Sequence, residues 1–232
     1  MKHIFKKYIP ESLVLGYHKT HAYLAALWYG FPSRKMKVIG ITGTKGKTTT
    51  ANFTWAVLTA CQNKTGLIGT ANIRVGEKEY MNEYHMTMPS PWIIQKLLKQ
   101  MLDDNCAYVV MEVTSEGIKQ FRHFGIDFHV AVFTNISPEH LPSHNNSFEE
   151  YARTKAKLFE TLKNQTNYVV TNADDSQSKY MASFSKVPVI TYGIDSGEKR
   201  ALNIEETPTG VTFQIEKLKI NSPILGKFNV YN

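Results

Sequence analysis

Cysteine is nearly absent: the 232-residue chain has two, Cys61 and Cys106. Neither sits in a C-x-x-C or Cys/His pattern, which argues against a zinc site and a disulfide framework. Both read as core residues in a reducing compartment. Long apolar runs are also missing. No segment reaches the roughly 18 uninterrupted apolar residues that a membrane-spanning helix needs. The basic start MKHIFKK is followed by an apolar stretch that His18, Lys19 and His21 interrupt, which spoils a secretory signal. A cytoplasmic protein without stable membrane insertion is expected. The net charge is +7, yet no run of Lys or Arg exceeds two residues. Scattered cations of this kind fit an anionic small-molecule substrate better than nucleic acid. Repeats and low-complexity tracts are absent as well. What remains is 42% apolar and 20% charged, ordinary globular material long enough for one large α/β domain.

Strands and helices alternate along that domain. Residues 11–29 read as a helix closed by Gly30 and Pro32, packing on the main domain in preference to lying on a membrane surface. From Lys37 come KVIGIT, a glycine-rich loop and the helix TTTANFTWAVLTAC. KTGLIGT, a hairpin around Val75-Gly76-Glu77 and a helix from Ser90 to about Asn105 come next. AYVVMEV, a short helix from Ser115, HVAVFTN, a helix over Phe148–Leu162 and NYVVTN continue the rhythm. A short helix near Ser176–Phe184 and VPVITYG complete it. This pattern predicts an α/β fold of the P-loop type, a mostly parallel sheet with helices on both faces. After Ala201 short alternating runs predict a small antiparallel edge. The chain stops at LGKFNVYN, which reads as the opening of a further element.

The loop GITGTKGKTTT, Gly40–Thr50, carries the first chemistry. Gly46-Lys47-Thr48 lies between a β-branched strand and a helix, where backbone amides and a helix N-terminus cradle phosphate. Lys47 would reach the terminal phosphates, and Thr48 would offer its hydroxyl to Mg²⁺. The strict Walker spacing asks for glycine at Ile41, and Gly40 and Gly43 straddle that position. Glu112, at the end of an otherwise apolar strand, is the candidate carboxylate for the metal. His140 follows Glu139 in a loop at the same carboxyl edge of the sheet, and a neutral imidazole can ligate a metal. In FEEYARTKAKLFETL, Phe148, Tyr151, Leu158, Phe159 and Leu162 mark one helical face. Lys155 falls on that face; Arg153 and Lys157 do not. A lysine so placed must snorkel, pair or be modified, and on the residues alone snorkelling is the simplest outcome.

Taken in order, these pieces resemble the Mur ligases, ATP-dependent amide-forming enzymes of peptidoglycan synthesis. The resemblance runs from about Val38 to the last residue. It rests on GITGTKGKTTT, TMPSP, MEVTSEGIKQFR, TNISPEHLPSH, YARTKAKLFETL, TNADD and GKFNVYN. TMPSP and EVTS…QFR look most like the branch that adds the third peptide residue to UDP-N-acetylmuramoyl-L-alanyl-D-glutamate. The resemblance implies that ATP and two Mg²⁺ ions serve this site. Gly43, Thr44, Lys45, Gly46, Lys47, Thr48, Thr49 and Asn135 would bind nucleotide. Lys47, Glu112, His140 and Lys155 would be catalytic. Thr48, Glu112, His140 and Lys155 would serve the metals, Lys155 as a carbamate. Thr87, Thr114, Gln120 and Arg122 would contact the UDP-muramoyl-peptide, and the added amino acid would be diaminopimelate or lysine. A monomer that binds no nucleic acid is expected.

Several positions depart from the family pattern. Lys45 stands where Asn is usual, Met88 where a second Thr is, Ser90 for Asp and Glu116 for His. Glu139 and Pro142 replace aspartates. The expected layout is an N-terminal helical extension (1–36), the central ATP-binding domain (37–224) and the start of a further domain (225–232). The amino-acid-binding domain would be missing, so residues 1–232 are expected to bind nucleotide without completing ligation. A folylpolyglutamate-synthase-like ligase, a nucleotide-binding module without ligase activity and a nucleic-acid-stimulated ATPase are the alternatives. The folate branch usually reads GKGS at this loop, and Gly46-Lys47-Thr48-Thr49 here favours the Mur side.

Overall fold

The computed structural model describes residues 10–139 and 141–232, so expectations for residues 1–9 and for His140 lie outside it. Among the described residues the sheet has eleven strands. In chain order they are β1 (Lys37–Thr42), β2 (Thr65–Ile68), β3 (Asn72–Val75), β4 (Lys78–Met81), β5 (Tyr108–Glu112), β6 (Phe128–Phe133), β7 (Tyr168–Asn172), β8 (Val189–Gly193), β9 (Lys199–Thr207), β10 (Gly210–Ile215) and β11 (Leu218–Ser222). Their spatial order is β11-β10-β9-β8-β7-β6-β1-β5-β2-β3-β4. From β2 through β5, β1, β6, β7 and β8 to β9, neighbours pair in parallel. The hairpin β3–β4 turns at Gly76-Glu77 as expected, and β9–β11 form the antiparallel edge. Among the described residues six α-helices flank the sheet: α1 (Glu11–Trp28), α2 (Lys47–Ala60), α3 (Pro91–Asp103), α4 (Ser115–Lys119), α5 (Phe148–Ala156) and α6 (Ser178–Ala182).

Successive residues of a strand point to opposite faces, so two adjacent buried residues mean that both faces are covered. Val38, Ile39 and Ile41 are all buried. Val38 packs in the larger core with Leu98, Met101, Phe128, Phe133 and Phe159. Ile39 and Ile41 pack on the other face with Ala51, Leu67 and Val110, beneath Trp55 and Leu58 of α2. Helix α1 joins the body through Ala22, Ala25 and Ala26, all fully buried, and contacts α3. No helix among the described residues is long and apolar enough to cross a membrane.

Two expectations need correction. Cys106 is buried, but Cys61 is exposed, because it falls on the C-cap of α2 where the helix runs out of the body. The helix expected to reach Leu162 ends at Ala156 and continues as a 3₁₀ turn, Phe159–Thr161. The backbone bonds tighten there: Leu158 N donates to Lys155 O at 3.1 Å and Thr161 N to Leu158 O at 3.1 Å. This tighter winding buries Leu158, Phe159 and Leu162 together.

His123, between α4 and β6, has its pKa lowered to about 4 by burial, which a hydrogen bond with the Gly117 backbone offsets in part. The unfolded chain takes up that proton near pH 6.5 and the folded chain does not. Folding stability is therefore undiminished above pH 6.5 and falls as pH drops toward 4, by up to about 3 kcal/mol for this group. Urea unfolding at pH 7 and near pH 4.5 should show a smaller difference for His123→Asn than for wild type. An equal difference in the two proteins would contradict it.

Candidate active site

The parallel strands bring the expected side chains to one edge. Ile41 is level with Glu112 across β1–β5 and with Val132 across β1–β6, so three carboxyl ends align. The sheet order departs in both directions from β1, which is where open α/β sheets bind ligands. The loop after β1 closes over a cavity of about 420 Å³ lined by Gly43, Lys47, Thr48, Glu112, Tyr151 and Lys155, among others.

The loop is held from the next strand. Thr44 N donates to Asn135 O at 2.9 Å. Lys45 N donates to Asn135 Oδ1 at 2.9 Å, and Asn135 Nδ2 returns a bond to Lys45 O at 3.0 Å. Thr134 Oγ1 reaches Lys45 O at 2.8 Å. Asn135 thus spends both ends of its amide on the loop backbone. A Cβ on Gly43 would lie 2.0 Å from Thr134 Oγ1, so the close approach requires glycine there. Gly46 has φ +82°, a left-handed conformation that also favours glycine.

Lys47 folds back and donates to Gly43 O at 3.0 Å and Thr44 O at 2.9 Å. Burial lowers its pKa, while Glu112 and Glu139 push it back up. Glu112 is fully buried at the end of β5. Its carboxylate accepts from Thr48 Oγ1 at 2.9 Å, from Thr70 Oγ1 at 2.9 Å and from Thr70 N at 2.7 Å. Thr48, expected from the sequence to share a metal with Glu112, hydrogen-bonds it directly here, and Thr70 is a second partner that motif reading misses. Its signal is a threonine just past the carboxyl end of β2, the strand beside β5. Among the described residues no group of three or more His, Cys, Asp or Glu side chains assembles.

Lys155 is 2% exposed, as its place on the apolar face of α5 requires. Snorkelling, the simplest outcome on the residues alone, is ruled out by that burial. Its Nζ donates to Gly43 O at 2.8 Å and lies 4.8 Å from the Tyr151 ring centroid. Burial drives its pKa well below the usual lysine value, and the charge of Lys47 adds to this. Tyr151 Oη is 3.1 Å from Thr44 Oγ1, tying α5 to the loop. In the sequence Tyr151 shows only as part of an apolar face.

The expected substrate residues divide into two groups. Thr87 and Thr114 line the same cavity as the loop, and Thr87 Oγ1 is 3.0 Å from Thr70 Oγ1. Thr114 caps α4, accepting from Gly117 N at 3.1 Å. Gln120 and Arg122 pair with each other, Nη2 donating to Oε1 at 2.7 Å, and Arg122 also donates to Met88 O. Arg122 has no ion pair with a carboxylate among the described residues. At the chain's end, Asn232 accepts from Thr50 Oγ1 at 3.3 Å and stands over Gly46. Tyr231 donates to Asp174 at 3.0 Å.

The family description "Mur ligase middle domain" matches residues 41–232. The chain belongs to this family. It is 37% identical over 234 residues to the UDP-N-acetylmuramoyl-L-alanyl-D-glutamate–2,6-diaminopimelate ligase of Geobacillus thermodenitrificans, covering 97% of this chain and 47% of that protein. The enzyme of that name from Caldanaerobacter subterraneus subsp. tengcongensis is 39% identical over 229 residues, covering 97% and 46%. A solved structure of a ligase with this name superposes with a TM-score of 0.75 at 25% identity, covering 84% of this chain and 41% of that one. Mycobacterium tuberculosis folylpolyglutamate synthase, complexed with ADP, gives a TM-score of 0.74 at 19% identity over 99% of this chain and 58% of its own, which is a likeness of fold alone. The chain spans about half the length of the curated relatives it matches.

Against the Mur ligase pattern, the unusual residues occupy ordinary positions. Met88 is buried, and its sulfur accepts from Thr114 N at 3.4 Å. Ser90 is the N-cap of α3 without a side-chain cap bond. Glu116 accepts from Ser143 Oγ at 2.8 Å at the cavity rim. Pro142 lies in the 3₁₀ turn Leu141–His144. Lys45 and Glu139 meet each other, Nζ to Oε1 at 3.4 Å.

Proposed function

We propose that this chain is the ATP-binding middle part of a ligase that extends UDP-N-acetylmuramoyl-L-alanyl-D-glutamate by one amino acid, diaminopimelate or lysine, in the cytoplasm. The carrying observation is the junction of three groups on one cavity: the Lys47 loop, the buried Glu112–Thr48 pair and the buried amine of Lys155. The loop amides and Lys47 would hold the β- and γ-phosphates, with Gly43 to Thr49 shaping the cradle and Asn135 fixing its backbone. In this reading residues 37–224 serve as the nucleotide domain, and helix α1 packs against it from the N-terminal side.

In the proposed reaction the substrate carboxylate attacks the γ-phosphorus and ADP leaves, giving an acyl phosphate. The amine of the incoming amino acid attacks the acyl carbon, phosphate departs, and the amine loses a proton. This chemistry asks mainly for positioning and for neutralisation of phosphate charge. Glu112 and Thr48 offer hard oxygen donors of the kind Mg²⁺ prefers, and His140 is proposed for a second ion. Magnesium would supply charge neutralisation at the transferred phosphoryl group. The Lys155 amine, whose burial favours its neutral form, would attack CO₂ through its lone pair and lose a proton, giving a carbamate. Thr87, Thr114, Gln120 and Arg122 face the muramoyl-peptide in this reading. Thr70 holds Glu112 in place from β2.

Glu112→Gln tests the metal half of the proposal. Glutamine keeps the volume and an Oε1 that accepts from Thr70 N, so the fold should survive with its thermal midpoint moved by only a few degrees. The anion is lost. In calorimetric titrations the gain in ADP affinity on adding Mg²⁺ should shrink at least about tenfold, since hydrogen bonds and charges at such sites are worth a few kcal/mol. An undiminished Mg²⁺ effect would remove Glu112 from the metal site.

A further inference from the structure

Two departures from the family pattern touch each other. Lys45 lies inside the phosphate loop, and its backbone is fixed by Asn135 and Thr134. Its side chain is 76% exposed, so a long stem leaves a fixed point with room to swing. Glu139 is 42% exposed and pairs with Lys45 at 3.4 Å. It does not face away from the site, because its charge reaches both Lys47 and Tyr151. The segment that carries it is stitched to the loop, Ser137 N donating to Thr44 Oγ1 at 3.0 Å.

We infer that Lys45 is a second side-chain cation, beside Lys47, for the nucleotide phosphates and that Glu139 is its built-in competitor, holding Lys45 until a polyphosphate arrives. This rests on the nucleotide reading above. A polyphosphate seated on the loop amides places several negative charges beside Glu139. The carboxylate is then repelled, while Lys45 exchanges one oxyanion for another. The pair is exposed, so its hold is weak and salt-sensitive, and exchange is fast on the scale of binding. A mere brace, by contrast, would stiffen the loop and help binding.

The two roles predict opposite signs. ADP binding is measured calorimetrically in EDTA, so that the neighbouring His140 segment cannot act through a metal. At low salt, Glu139→Gln should tighten ADP by about two- to five-fold, and Lys45→Met should weaken it by a similar factor, the range expected for exposed ion pairs. The gain from Glu139→Gln should shrink when Lys45 is already methionine, and both effects should fade at high salt. Unchanged or weaker binding by Glu139→Gln overturns the competitor role, and unchanged binding by Lys45→Met overturns the cation role. If wild type binds ADP in a Lys47-dependent way but Glu139→Gln does not respond, this inference alone fails. If wild type binds no ADP at all, the nucleotide reading fails with it.

Discussion

Lys47→Ala should weaken ADP and ATP binding by about 100-fold or more. Removing one member of a buried charge-assisted contact costs on the order of 2–5 kcal/mol, and each 1.4 kcal/mol is a factor of ten. Lys47 Nζ now satisfies itself on Gly43 O and Thr44 O, both on its own loop. The loop is held independently of Lys47: Gly43 O also accepts from Lys155, and Thr44 N donates to Asn135 O. The loop should therefore keep its shape without Lys47, and the loss should be one of affinity and not of folding. Circular dichroism and thermal unfolding close to wild type, together with the affinity loss, would establish this. A comparable affinity in the variant would mean that the phosphates bind elsewhere.

Lys155→Met should abolish carbamate formation at this site. Methionine keeps the length and apolar stem but has no amine. Lys155 sits 2% exposed, and its burial drives the pKa well below the ordinary value, which favours the unprotonated, nucleophilic form relative to an ordinary lysine. Gly43 O, which accepts from Lys155, also accepts from Lys47, so that carbonyl stays satisfied after the change. In ¹³C-bicarbonate solution near pH 8, the wild-type chain should show a protein-bound carbamate resonance that Lys155→Met lacks. A resonance that persists in the variant would assign the carbamate to another amine, and none in either protein would sink the modification. Mg²⁺ should strengthen the signal, since a carbamate on the cavity that Glu112 also lines would add a hard oxygen donor.

Much of the fold is readable in the sequence because parallel strands buried on both faces are short apolar runs, and KVIGIT, AYVVMEV and HVAVFTN are of that kind. The strand–loop–helix placement of Lys47 compensates for glycine spacing that fits no strict motif. Lys155 is legible because positions three and four apart on a helix share a face. Residues brought together by strand order are not legible. Thr70 meets Glu112 because β2 lies beside β5, and Asn135 meets Lys45 because β6 lies beside β1. Neither adjacency is written in local periodicity. Cys61 is misplaced by sequence for a related reason: an apolar residue at a helix end is buried only if the helix stays against the body. The Lys45–Glu139 contact likewise joins two residues that look like separate oddities in the sequence.

The most direct test is a crystal structure of this chain grown with a non-hydrolysable ATP analogue, Mg²⁺ and bicarbonate. The β- and γ-phosphates should lie within hydrogen-bond distance of the Gly46, Lys47 and Thr48 amides, with Lys47 Nζ moved from the Gly43 and Thr44 carbonyls onto phosphate oxygen. A nucleotide bound away from this loop, or a loop without phosphate at saturating analogue, would contradict the proposed site.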